Sequence, residues 1–497
     1  MLQSIDYHAI LPELVLAGTA IVVLIVDLFL APERKWLAMP LSLFGVLGAF
    51  AALLTLAGDD PRGTFCLVDS ASQCSFVVDN FAVLFKVVFL GAALVVLLLS
   101  LNYFEEGRFY QGEYYFLLLC SFLGLIAIAS SRDLIMLFIS LELVSVPGFV
   151  IAGFRKSDSR STESALKFFL IGVLATAVML FGMSIIYGLT GSLQLTEIAT
   201  RLGADARTPA AAGAVALVIV GFAFKVSAAP FHFWAPDTYQ GAPVPVAAFL
   251  SVASKAAGFA GLMQVVYIGF RPYSDVWAPL FAVLAVLTMT LGNLVAMQQR
   301  HMVRLLAYSS VAQAGYMLVP MAVAGSQGQE AVDGAFAATL AYIAIYAVMN
   351  LGAFACVIAV ARRTPRNLVA DYRGLARSSP VLSCALAFFM LCLAGVPPGF
   401  AGLFAKIEVF RASIQGDMTW LAVVMAVNTI FAMYYYLRIA FGLFAGLGEA
   451  GEAPLERVRI PAPVLSAIGV TAVAAIAIGF FPDLVLHFTP LSVLAAP

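Results

Sequence analysis

An all-α polytopic membrane protein is the fold class this sequence predicts, on three observations. Of its 497 residues 62% are hydrophobic and only 11% charged, where soluble domains carry about 25% charge. The mean hydropathy is +0.99. Apolar stretches long enough to cross about 30 Å of hydrocarbon recur along the whole chain, and none alternates with period two as a barrel strand would. A water-soluble surface cannot be built from this inventory, which excludes a soluble enzyme, a nucleic-acid binder and a disordered scaffold. The net charge of -1 points to no polyanionic partner.

Taken in order, stretches 10-30, 37-57 and 80-101 form an N-terminal block of three spans within residues 1-113. Stretches 114-130, 134-153, 165-189, 211-240 and 244-269 follow as a first five-span unit, and 277-298, 303-324, 334-361, 380-414 and 419-441 as a second. An inner loop, a last span at 461-481 and an outer tail complete residues 442-497. The expectation is therefore about fourteen transmembrane helices with short loops.

Lysine and arginine in the loops set the orientation. With the N-terminus outside, the inward loops hold fifteen of them, including Arg34, Lys35, Arg108, Arg300, Arg363 and Arg457, against six outward. Both termini are thus expected on the outer, periplasmic side. The first segment reads as a retained span rather than a cleavable signal, because it opens with Asp6 and is followed by Arg34 and Lys35. Cys66 and Cys74 share the outward loop 58-79 and could close a disulfide there; the sequence leaves this open. No cysteine or histidine grouping has the spacing of a metal, iron-sulfur or haem site, and no strand is expected to carry a nucleotide-binding glycine loop.

Five of the seven lysines, Lys86, Lys167, Lys225, Lys255 and Lys406, fall inside spans. An ionisable side chain in hydrocarbon costs about 2.5 to 3.5 kcal/mol on insertion scales and marks a functional position by default. Residues three or four apart share a helix face, so Glu163 can neutralise Lys167 locally. Lys86 can reach outward toward Asp79. Lys225, Lys255 and Lys406 have no counter-charge on the same face of their own helices. One buried acid, Glu142, answers them from the span 134-153, with Lys225 or Lys167 as its candidate partner. Asp27, Glu13 and Arg438 read as interface residues near span ends.

Two overlong spans are interrupted by proline, which removes a backbone donor and clashes with the preceding turn. "KVSAAPFHFWAP" breaks the span 211-240 at Pro230, and "AGVPPGFAG" breaks 380-414 at Pro397 and Pro398. Lys225 precedes the first break and Lys406 follows the second. That opposite order is what two inverted five-span repeats would give, and paired interruptions point to an ion pathway near the midplane.

The run 225-259, "KVSAAPFHFWAPDTYQGAPVPVAAFLSVASKAAGF", strongly resembles the N-type membrane subunits of proton-pumping NADH-quinone oxidoreductase, respiratory complex I. "RSTESALKFFLIG", "RLLAYSSVAQAGYMLV" and "AGVPPGFAGLFAKIEVF" are similar to the same family, and the similarity runs along almost the whole chain. The resemblance implies that Glu142 pairs with Lys225, that Lys255 is a central relay and Lys406 the terminal proton carrier, with Lys167 and His232 auxiliary. It also implies a bacterial cell membrane location and other membrane subunits as partners, antiporter-like and small ones included. NADH oxidation, FMN, iron-sulfur clusters and quinone reduction are expected in partner subunits, with no cofactor in this chain. Two departures stand out: Gln313 occupies a position where some members have histidine, and the spacing from Gly395 to Lys406 is one residue longer than usual.

The expected mechanism rests on a buried amine, which releases its proton more readily than an exposed one unless a carboxylate lies close. Withdrawing Glu142 would let Lys225 pass a proton through water to Lys255 and on to Lys406. Each charge moved against 100 mV requires about 2.3 kcal/mol. The competing readings are a subunit of a cation/proton antiporter or a stand-alone secondary transporter, a subunit of a related membrane-bound hydrogenase or other redox-driven pump, and a structural membrane subunit.

Overall fold

The computed structural model describes residues 5–58, 60–67, 70–106, 111–204, 207–325, 328–362, 364, 366–446 and 458–490. Arg108, Arg363 and Arg457, used above for orientation, lie outside them. Helices dominate. The N-terminal block holds α1 (Leu11–Phe29), α2 (Ala38–Leu54) and α3 (Asn80–Glu106). Next come α4 (Gln111–Ala129), α5 (Leu134–Ala152), α6 (Ser159–Thr190), the short amphipathic α7 (Leu195–Ala204), α8 (Pro209–Lys225), α9 (Trp234–Gly241) and α10 (Val244–Gly269). The second set is α11 (Ser274–Gln298), α12 (Met302–Val323), α13 (Gln329–Ala361), α14 (Pro380–Ala394), α15 (Phe400–Gln415) and α16 (Thr419–Leu443), followed by α17 (Ala462–Phe480) and α18 (Asp483–Leu486).

Among the described residues, eleven helices are long and apolar enough to cross a membrane. The three remaining expected crossings fall on α12, made more polar by Ser309, Ser310 and Gln313, and on the broken passes α8–α9 and α14–α15. The two five-helix sets match in outline. Each places its longest helix third, the 32-residue α6 and the 33-residue α13, and its broken pass fourth. α13 is apolar all round and buried along nearly its whole length, as a helix at the centre of a bundle must be. It packs against α3, α12, α14, α15 and α17, while α10 is likewise enclosed.

Sequence features explain the ends. Asp133 caps α5 by accepting from the Met136 amide at 2.7 Å, and Thr208 caps α8 through the Ala211 amide at 3.2 Å. Pro209 and Pro380 open the first halves of both broken passes, where a missing amide hydrogen costs nothing.

One expectation is corrected. The loop 58-79 is a β-hairpin, β1 (Arg62–Leu67) against β2 (Ser70–Val78), with Cys66 opposite Cys74 and a disulfide joining them. The Val77 amide donates to Ser130 at 2.8 Å and the Arg132 amide to Ser75 at 2.9 Å, so the hairpin lies across the α4–α5 junction. Without a hydrophobic core of its own the hairpin leaves little apolar pattern. Its inward side chains are Phe76, Val77 and Val78.

Candidate functional site

The first break begins with Lys225 as the last residue of α8. Ser227 turns the chain with φ +60° and a cis Ala229–Pro230 bond follows. Backbone groups freed by the interruption find partners: the Ala229 amide donates to Thr288 of α11 at 2.8 Å, and the Trp234 indole donates to the Phe224 carbonyl at 3.1 Å. The second break has the same parts in another order, Gly395 with φ +75° closing α14, a cis Pro397–Pro398 bond, and Lys406 inside α15.

Lys225, Lys255 and Lys406 are 6%, 2% and 3% exposed. The Lys225 ammonium donates to the Ser145 hydroxyl of α5 at 2.7 Å. Its carbon stem lies against α10 at Gly258, where an added Cβ would sit 3.1 Å from Lys225 Cγ. Gly258 is three residues beyond Lys255 and therefore on the same helix face. Lys255 follows directly on a π segment, Leu250–Ser254, of the kind often found at functional sites. Its ammonium donates to the Ser310 carbonyl at 2.5 Å and the Ser310 hydroxyl at 2.8 Å on α12.

Gln313, again three residues further along the same face of α12, connects to the second break. Its amide donates to the Leu393 carbonyl at 3.1 Å and to Tyr436 at 3.2 Å, and its oxygen accepts from Tyr342 at 2.6 Å. Lys406 donates to the Ala394 carbonyl at 2.6 Å and to the Leu393 carbonyl at 3.4 Å, with its ammonium 5.3 Å from the Tyr316 ring centre. Both side chains thus satisfy carbonyls at the end of α14, where the helix dipole favours a cation.

Glu142 departs from expectation. It makes no ion pair with Lys225 or Lys167; it accepts from Thr176 of α6 at 2.9 Å. The reason is its face. Glu142 lies on the flank of α5 that carries the exposed Ile139 and Val146, while Ser145 points inward to meet Lys225. Lys167, half-exposed, pairs with Glu163 at 2.7 Å, as its spacing predicts, and with Asp237 of α9 at 3.3 Å. Asp237 also holds Arg304 of α12 at 2.7 Å, tying the two five-helix sets together near one end. His232 sits in the first break, edge-on to Tyr308 with ring centres 6.4 Å apart.

Lys86 is corrected as well. It is fully buried and pairs at 2.8 Å with Glu13 of α1, beneath the Phe76 ring, whereas Asp79 is taken by Arg132 at 2.5 Å. Asp27, read from sequence as an interface residue, is buried beside Lys35 at 2.8 Å. Sequence reasoning also passed over Ser310, Ser309, Tyr342 and Tyr436, hydroxyl-bearing residues in spans whose burial only the packing reveals. Among the described residues no group of three or more His, Cys, Asp or Glu side chains converges as a metal site would.

Residues 131–432 match the family model described as NADH:quinone oxidoreductase/Mrp antiporter, TM. The chain is 48% identical to NADH-quinone oxidoreductase subunit N 2 of Streptomyces griseus, over 99% of this chain and 94% of that protein. It is 37% identical to NADH-quinone oxidoreductase subunit N of Trichlorobacter lovleyi, over 98% and 97%. Its structure resembles a chain of respiratory complex I from Thermus thermophilus, solved with bound aureothin, at TM-score 0.77 and 31% identity, covering 96% of this chain and 98% of that one. A chain of the Mrp complex from Dietzia shares the fold at TM-score 0.83 with 20% identity. On this evidence the chain is a multi-pass membrane protein that belongs to the NADH-quinone oxidoreductase subunit N family, the antiporter-like membrane subunits of complex I.

Proposed function

We propose that this chain carries protons across the membrane along the file Lys225, Lys255 and Lys406, driven by NADH oxidation and quinone reduction in partner subunits. Supporting this is the continuity of the file: each lysine is buried, each donates to a neighbouring helix, and the steps between them run along shared helix faces at Gly258 and from Ser310 to Gln313. Water and the hydroxyls of Ser145, Ser310, Tyr342 and Tyr436 carry protons between the amines. Glu142 acts electrostatically from the flank of α5, one turn before the Ser145 that holds Lys225. Its half-buried position on the flank of α5 suits control by a neighbouring membrane subunit, as the resemblance implies. Lys167, Asp237, Arg304 and His232 serve the approach to the first break.

The redox groups, NADH, FMN, iron-sulfur clusters and quinone, belong to the partner subunits in this reading. The chain sits in a bacterial inner membrane with both termini outside, and divides at 1-113, 114-269, 277-441 and 442-497. Lys225→Ala in assembled complex tests the proposal. NADH-driven proton uptake into vesicles should be lost, and unchanged uptake with the complex intact would overturn the role. Sodium-dependent pH changes in vesicles holding this chain without redox partners would favour an antiporter instead.

A further inference from the structure

A cavity of about 490 Å3 lies away from the lysine file, between the segment following α13 and the end of α16. Its walls are mixed in character. Arg373 and Arg438 face it together with Val369, Ala370, Ile439 and Phe441. Neither guanidinium is in an ion pair or a hydrogen bond among the described residues. Elsewhere in the described chain, Arg132, Arg201, Arg207 and Arg304 each meet a carboxylate.

The cavity is held open by its backbone. A short helical turn, Val369–Tyr372, is fixed at one end by the Val369 amide on the Arg300 carbonyl at 2.8 Å. At the other end the Gly374 amide donates to the Gly442 carbonyl at 2.9 Å. Asp371, the nearest acid in sequence, is turned back to accept from the Leu368 amide at 2.9 Å, and the Tyr372 hydroxyl is spent on Asn367 at 2.5 Å. The site therefore offers two cations and an apolar floor, with no competing acid on either arginine among the described residues.

Phe441 is 72% and Phe444 37% exposed at the same helix end, so aromatic surface meant for hydrocarbon adjoins guanidinium meant for the headgroup layer. Arg300 and Arg304 lie at this end too, the side that the loop cations mark as inner, where anionic lipids concentrate. Two guanidiniums present planar forks suited to a phosphodiester, and the apolar floor suits the first methylenes of acyl chains.

We propose that this cavity binds an acidic phospholipid, its phosphate held by Arg373 and Arg438 and its chains laid against Ile439 and Phe441. The test uses assembled complex in nanodiscs of phosphatidylcholine doped with phosphatidylglycerol, followed by lipid counting in native mass spectra. Retained phosphatidylglycerol should bind about fivefold more weakly for each arginine replaced in R373Q and R438Q, with R373K/R438K intermediate. Equal retention in the double glutamine variant overturns the proposal, as does equal retention of phosphatidylcholine. Displacement by millimolar inorganic phosphate would make it a free-phosphate site and also overturn it. Retention that rises in E449Q/E452Q/E456Q to a level absent from wild type would show the chain's own acids on these arginines, again against the proposal. Should the arginine variants fail to assemble, hydrogen exchange in wild type decides: segment 369-374 should be protected by phosphatidylglycerol and not by phosphatidylcholine, and no difference contradicts the site.

Discussion

Gln313 and Lys406, ninety-three residues apart in sequence, hydrogen-bond the same atom, the Leu393 carbonyl oxygen, at 3.1 and 3.4 Å. The amide of one helix and the ammonium of another therefore meet at the open end of α14, and the polar path from Ser310 is continued to the terminal lysine through protein groups.

Gln313→Leu should break that continuity while preserving volume. It leaves the buried Tyr342 hydroxyl without its acceptor, a loss of about 1 to 3 kcal/mol. NADH-driven pumping should slow by about tenfold, on the order of 1.4 kcal/mol in the barrier, and Gln313→His should retain most of the rate. Initial rates of vesicle acidification measure both; equal rates for Leu and wild type would remove Gln313 from the path.

How far the site was legible depended on whether a residue's partner lay on its own helix. Glu163 and Lys167 are one turn apart, and their ion pair followed from spacing alone. The broken passes were equally plain, because Pro230 and Pro397–Pro398 cannot continue a helix. Lys86 was assigned to Asp79, seven residues away, but its partner Glu13 is on α1, and no periodicity within α3 carries that information. The same holds for Glu142: Ser145 and Val146 both lie one turn along α5 from it, yet Ser145 faces inward to Lys225 and Val146 outward, and only the helix's rotation in the bundle decides which way Glu142 turns. The hairpin escaped notice because short strands pinned by a disulfide and by the α4–α5 junction need no apolar alternation of their own.

The Glu13–Lys86 pair makes a stability prediction. Removing one member of a buried ion pair strands the other and costs about 3 to 5 kcal/mol, while replacing both with apolar or neutral groups is often close to neutral. Lys86→Met should lower the thermal midpoint of the purified complex markedly. Glu13→Gln combined with Lys86→Met should recover most of the loss. If the double variant is as unstable as the sum of the singles, the two side chains are not energetically coupled.

His301, in the turn between α11 and α12, gives a pH prediction. Burial, then the Arg304 and Arg160 guanidiniums, hold its imidazole below the usual histidine range, against a smaller opposing effect of Asp371. The unfolded chain therefore binds a proton at higher pH than the folded one, so stability falls as pH drops below about 6.5. A thermal-shift series across that range should show a steeper acid loss in wild type than in His301→Gln; parallel curves would show that this histidine is not strained by its surroundings.

On the proposed file, protons pass through Lys255, the residue between the two breaks. The direct measurement is the number of protons moved per NADH oxidised by assembled complex carrying Lys255→Met, a side chain of similar length that cannot hold a proton. A lower ratio than wild type is expected in sealed vesicles, with assembly intact. An unchanged ratio at normal assembly would contradict it.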